Sequence, residues 1–187
     1  MQVRSGTSRD DVYDTVTIAF HWAVALMVLC QFALALVPGI VKSSISLHKG
    51  LGLILLVLVV LRIVWRLFFG RRTATSATEP LPLRLAAKAG HFGLYGLLIV
   101  TPLLGWLYLD ARAMDVHVLG LELPMLVYYD RDLANWIYGW KKVAAYSLLA
   151  LIFVHAGAAI VYHARLRRDR VLHSMLPARY RGDAALS

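Results

Sequence analysis

Four long apolar stretches occupy most of this chain, and each holds one histidine a short way in from an end: His21, His48, His91 and His155. The stretches run over residues 16–37, 45–65, 85–109 and 136–162. Each approaches or exceeds the ~20 residues that a helix needs to cross ~30 Å of hydrocarbon. Inside a bilayer the backbone must satisfy its own hydrogen bonds, which leaves helices or a closed barrel, and stretches of this length fit helices. The expected fold is all-α, an integral membrane four-helix bundle. An apolar share of 59% against 17% charged supports one membrane domain, since a soluble core of 187 residues could not cover that much apolar surface.

The chain divides into a polar N-terminal segment, 1–14, a membrane domain, 15–164, and a basic tail, 165–187. The first stretch is too long for a signal-peptide core, has acidic flanks at Asp10, Asp11 and Asp14, and ends at Pro38-Gly39 without a small-residue cleavage pattern. The connection 38–44 is short, so the first two helices are antiparallel neighbours. Residues 71–82 make a polar, turn-forming loop. The connection 110–132 is the longest and mixes charge with Leu121, Leu123, Met125 and Tyr128, so it is expected to fold against the membrane face. Cys30, the lone cysteine, excludes an internal disulfide and reads as a small packing residue. Trp65, Trp106, Trp136 and Trp140 fall near segment ends, as interfacial aromatic belts do.

The net charge of +9 is unevenly placed. With the N-terminus, the second loop and the C-terminus on one side, that side carries Arg4, Arg9, Arg62, Arg66, Arg71, Arg72, Arg84, Lys88 and six arginines from Arg165 to Arg181. The other has only Lys42, Lys49, Arg112, Arg131, Lys141 and Lys142. Fourteen bases against six is the positive-inside bias and predicts an N-in, C-in orientation. The basic tail is then a topology anchor against anionic lipid, with no nucleic-acid partner.

An imidazole within hydrocarbon is costly, so intramembrane histidines are functional candidates. Four of them, on four helices, can face one another across a bundle and hold a haem iron by its axial positions. The plain alternative for each is a packed residue donating to a backbone carbonyl. By depth, His21, His91 and His155 belong near the inner surface and His48 and Lys141 near the outer one. Lys141 and His155 are 14 residues apart on one helix, ~21 Å along its axis and within ~40° of the same face. So spaced, they can serve two haems, one near each surface. His117, His163 and His173 read as loop or flank residues.

These residues resemble the bacterial cytochrome b561 family of four-helix dihaem membrane cytochromes. The resemblance rests on Tyr13-Asp14 through His21-Trp22, on Leu47-His48-Lys49-Gly50-Leu51-Gly52, and on Leu61-Arg62-Ile63-Val64-Trp65-Arg66. It continues through Gly90-His91 to Tyr95, Pro102 to Gly105-Trp106, Ala144 to His155, His163, and 172–177. It implies an inner haem b between His21 and His155, with His91 a competitor, and an outer haem b on His48. Where the family has a histidine opposite His48 this chain reads Lys141, and Lys88 stands where a further histidine is common. Three readings of the outer site stay open: ligation by Lys141 or a substitute such as His117, a five-coordinate haem on His48, or no outer haem.

The resemblance further implies a haem b electron-transfer protein of the bacterial inner membrane, linking a redox partner subunit or small electron donor to the quinone pool, with ubiquinone as acceptor. Arg62 is then a candidate for a haem propionate or a quinone carbonyl, because a guanidinium offers paired donors. One alternative is a superoxide:ubiquinone oxidoreductase. Another is a haem-free membrane anchor subunit whose histidines merely pack.

Overall fold

The chain folds into four helices, α1 Thr15–Leu36, α2 Ser44–Phe68, α3 Leu81–Ala111 and α4 Arg131–Gly157. The computed structural model describes residues 14–37, 44–70, 80–114, 117–118 and 121–160. All four helices are long and apolar enough to cross a membrane. Even the shortest, at 22 residues, spans ~33 Å. Large apolar side chains such as Leu26, Ile45, Phe92 and Phe153 stand exposed, as lipid-facing surface does. Cys30 is exposed as well, so it lies on the outside of α1 and is not the packing residue its size suggests.

The helix ends explain where hydropathy misplaces the boundaries. Asp14 caps α1: its carboxylate accepts from Thr17 N at 2.8 Å and from Thr17 Oγ1 at 2.7 Å. It also accepts from Trp65 Nε1 at 3.2 Å, which ties the start of α1 to the end of α2. α3 begins four residues before the apolar stretch, with Pro80 and Pro82 at its first turn, where the proline's missing N–H is no loss. α4 begins five residues early because Asp130 caps it, accepting from Leu133 N at 2.9 Å. A capped first turn of polar residues is invisible to an apolar-run search. Asp110 and Asp132 therefore lie within helices, and the connection covers 112–130.

That connection folds back over the bundle, as expected. Asp110, itself buried, accepts from Leu126 N at 2.7 Å, and Asp130 N donates to Ala111 O at 3.1 Å. Leu123 and Val127 pack beside Leu109 and Ala111. A hairpin of two-residue strands, β1 His117–Val118 with β2 Leu121–Glu122, is the only sheet among the described residues, and β1 lies against α2.

Backbones pack closely along the sequence order, α1 on α2, α2 on α3 and α3 on α4, whereas α4 has no comparable packing on α1 or α2. The α3–α4 contact is tight: a Cβ on Gly93 would come within 2.9 Å of Leu151 Cδ2. One apolar cluster fills the middle of the bundle, with Val24 and Val28 of α1, Leu55 and Val59 of α2, Leu98 of α3 and Leu148 of α4. Four antiparallel crossings bring residue 160 back to the end where α1 starts. The N-terminal segment, Lys42, residues 71–79 and the basic tail with His163 and His173 lie outside the described residues.

Candidate functional site

Polar groups collect at the two ends of the bundle, on either side of the apolar middle. At the end where α1 begins, the structure brings together His21, Arg62, Arg66, His91, Tyr95 and His155. α1 delivers His21 two turns after its capped start, and Arg62 reaches it from α2, donating from Nη2 to His21 Nδ1 at 3.0 Å. Arg62 also lies over the Tyr95 ring at 5.5 Å, and Arg66 donates to Tyr95 Oη at 3.2 Å. On α3, His91 Nδ1 donates to Ala87 O at 2.8 Å within its own helix. Its ring meets that of His155 edge to face, with centroids 5.4 Å apart.

These contacts bear on which imidazoles can flank a flat macrocycle. His91 and His155 touch, but they come from the two most tightly packed helices, where Gly93 against Leu151 leaves no slot for a porphyrin. His21 and His155 come from α1 and α4, two helices without such close backbone packing. An arginine can only donate, so Nδ1 of His21 is the acceptor and its neutral ring carries the proton on Nε2. Binding a metal through Nε2 requires that Arg62 bond to be given up.

The opposite end is organised around His48, which α2 carries one turn from its start. His48 Nδ1 donates to Gln31 O at 3.2 Å, while Gln31 Nε2 donates to His48 O at 3.1 Å. Gly52 leaves room for that amide, since a Cβ there would stand 3.2 Å from Gln31 Nε2. An imidazole held by an Nδ1–H to a backbone carbonyl has its Nε2 lone pair free, the arrangement usual in metal-ligating histidines.

Beside His48 lies a cavity of about 590 Å³, lined by all four helices and including Gln31, His48, Thr101, Gly105, Trp106 and Lys141. This volume falls in the ~300–1,000 Å³ range of cofactor pockets. Lys141 lies across the bare backbone of Gly105: a Cβ there would sit 3.6 Å from its Nζ. Three buried polar atoms of the lining, Gln31 Oε1, Thr101 Oγ1 and Trp106 Nε1, have no hydrogen-bond partner. Buried polar groups in native structures are nearly always paired, so orphans around a void mark a binding group. A haem fits this donor set, with an imidazole for its iron and an indole N–H for a peripheral carboxylate.

The family model described as prokaryotic cytochrome b561 matches residues 12–178. The chain belongs to the prokaryotic cytochrome b561 family. Among curated relatives, cytochrome b561 homolog 2 of Escherichia coli (strain K12) is 30% identical over 183 residues, covering 92% of this chain and 95% of that one. A probable superoxide oxidase, CybB, of Yersinia pestis is 28% identical over 170 residues, covering 88% and 96%. Membership makes this a multi-pass bacterial membrane protein that binds haem b and transfers electrons.

Gln31, Thr101, Gly105, Trp106 and Tyr95 are site residues that the histidine pattern alone does not single out. Gln31 carries a legible signal, a lone amide in an apolar run. Trp106 is hidden by its company, because a tryptophan near a segment end is ordinarily a belt residue. Here it is half-buried and lines the cavity. His117 lies in β1, and its side chain is outside the described residues.

Proposed function

We propose that this chain passes electrons between a donor and the quinone pool, with His21 and His155 as axial ligands of a haem b near the cytoplasmic face of the bacterial inner membrane. The observation that supports the reading is that α1 and α4, each carrying an imidazole at this end, lack the close backbone packing of the pairs α1–α2, α2–α3 and α3–α4. Haem b supplies a one-electron site whose potential its axial ligands and surroundings tune. The chain's own residues do the rest. His21 and His155 orient the macrocycle, and Arg62, once released from His21, is free to pair with a propionate or a quinone carbonyl. The apolar middle layer keeps water from the path between the two ends. The positive-inside distribution supports placing the Arg62 end in the cytoplasm. His48, with its free Nε2, is the ligand proposed for the second haem, and ubiquinone is the proposed acceptor.

A reduced-minus-oxidised spectrum of the purified protein, followed by reduction with a ubiquinol analogue, tests this reading. A b-type difference spectrum that appears on adding quinol is expected. A protein without haem would instead be a membrane anchor subunit.

The Yersinia relative, matched over nearly its whole length, supports a second reading, superoxide:ubiquinone oxidoreduction. Two superoxide anions would each give up one electron at the His48 end, and the quinone would take two electrons and two protons. Lys49 and Lys142 line the cavity there and provide local positive charge for an anionic donor. Quinone-dependent superoxide consumption by the holoprotein separates an oxidase from a plain carrier.

A further inference from the structure

We infer that Lys141 is the second axial ligand of a haem in the His48 cavity, giving that iron one imidazole and one amine. The inference deepens the proposed function and rests on it. His48 and Lys141 come from α2 and α4, two helices without close backbone packing, and both line the same void of about 590 Å³. His48 is already fixed by the Gln31 carbonyl with Nε2 free. Lys141 makes no hydrogen bond or ion pair with any described residue, although it stands five residues, ~7.5 Å along the axis, past the start of the apolar stretch at 136. A lone ammonium at that depth is costly. Coordination removes the cost: the ammonium releases its proton to water when the haem is loaded, and the nitrogen lone pair forms the bond to iron.

The surroundings suit a long, flexible ligand. The end of the Lys141 side chain lies beside α3 at Gly105, where a Cβ would stand 3.6 Å from both its Cε and its Nζ. Lysine has four methylenes, so it reaches an iron from a helix that stands further back than a histidine's would. The unpartnered Trp106 Nε1 would be the donor available to a carboxylate on the macrocycle's edge.

The test uses the full-length haem-loaded protein in detergent. It reads haem-to-protein stoichiometry together with near-infrared magnetic circular dichroism and electron paramagnetic resonance of the ferric state. Two haems per chain are expected, both low-spin, one bis-imidazole and one imidazole–amine. Lys141→Ala should turn one of the two into a high-spin species without changing the His21-end signal. Lys141→His should give two bis-imidazole haems. The wild-type signature needs no variant, so a misfolded Lys141→Ala does not weaken the test. One haem per wild-type chain, or a Lys141→Ala spectrum identical to wild type, overturns the assignment. A single haem lost on His155→Ala leaves the proposed function standing, whereas no haem at all removes both.

Discussion

The two ends of the bundle are built on opposite plans. At the His21 end several side chains contact one another: Arg62 bonds His21, Arg66 bonds Tyr95, Trp65 bonds Asp14, and His91 rests on His155, while Arg84 Nε is left unpaired. At the His48 end an imidazole and an amine border a void whose lining leaves three polar atoms unpaired. At one end side chains bond one another, and at the other a cavity of about 590 Å³ lies beside the imidazole. The end where a lysine stands in place of the family's histidine is the one that borders a cavity with unpaired polar atoms.

Removing each end's anchor is the most drastic way to break this comparison. His155→Ala should abolish the bis-imidazole signal and leave the His48-end haem, read as loss of one haem per chain. If His91→Ala abolishes that signal while His21→Ala does not, the ligand pair is His91 with His155 and the open seam between α1 and α4 has been misread. His48→Ala should do the reverse and empty the other end.

Arg62 sharpens the contrast next. Replacing it with Gln removes one charge-assisted hydrogen bond, worth about 1.5–3 kcal/mol. Quinol-driven haem reduction is expected to slow roughly 10- to 100-fold, with haem content unchanged. Equal rates would reduce Arg62 to a topology anchor.

Smaller effects test the scaffold. Gly93→Val would press on Leu151 at the α3–α4 contact, and overpacking typically costs about 1–3 kcal/mol. A lower thermal midpoint should therefore accompany disturbance of both haem signals, because α4 serves both ends. Asp130→Ala removes the α4 cap, a loss of about 1 kcal/mol. Its effect should fall on the midpoint, with the His21-end spectrum untouched.

Much of this was legible in the sequence. Apolar run length dictates four helices, and helical rise sorts His21, His91 and His155 from His48 and Lys141 by depth. The early starts of α3 and α4 were not legible, because prolines at one and a capping aspartate at the other extend the helices beyond the hydrocarbon pattern. Nor was the role of Trp106, since nothing in the order of residues says whether an indole near a helix end points outward to the interface or inward to a hollow. Cys30 shows the same blindness in reverse. Its neighbours are as apolar as a core, yet in a membrane protein the outside is apolar too. Periodicity has little grip where both faces of a helix prefer grease.

The unsealed seam between α4 and the first two helices bears on how the molecule is assembled. A bundle whose helices all close around a ring must partly unfold to admit a guest. Here three helix pairs pack along the sequence order, and α4 meets the first two helices chiefly through the apolar cluster at mid-height. A haem inserted edgewise between α4 and α1 would part less packed backbone than one inserted between any of the three sequential pairs.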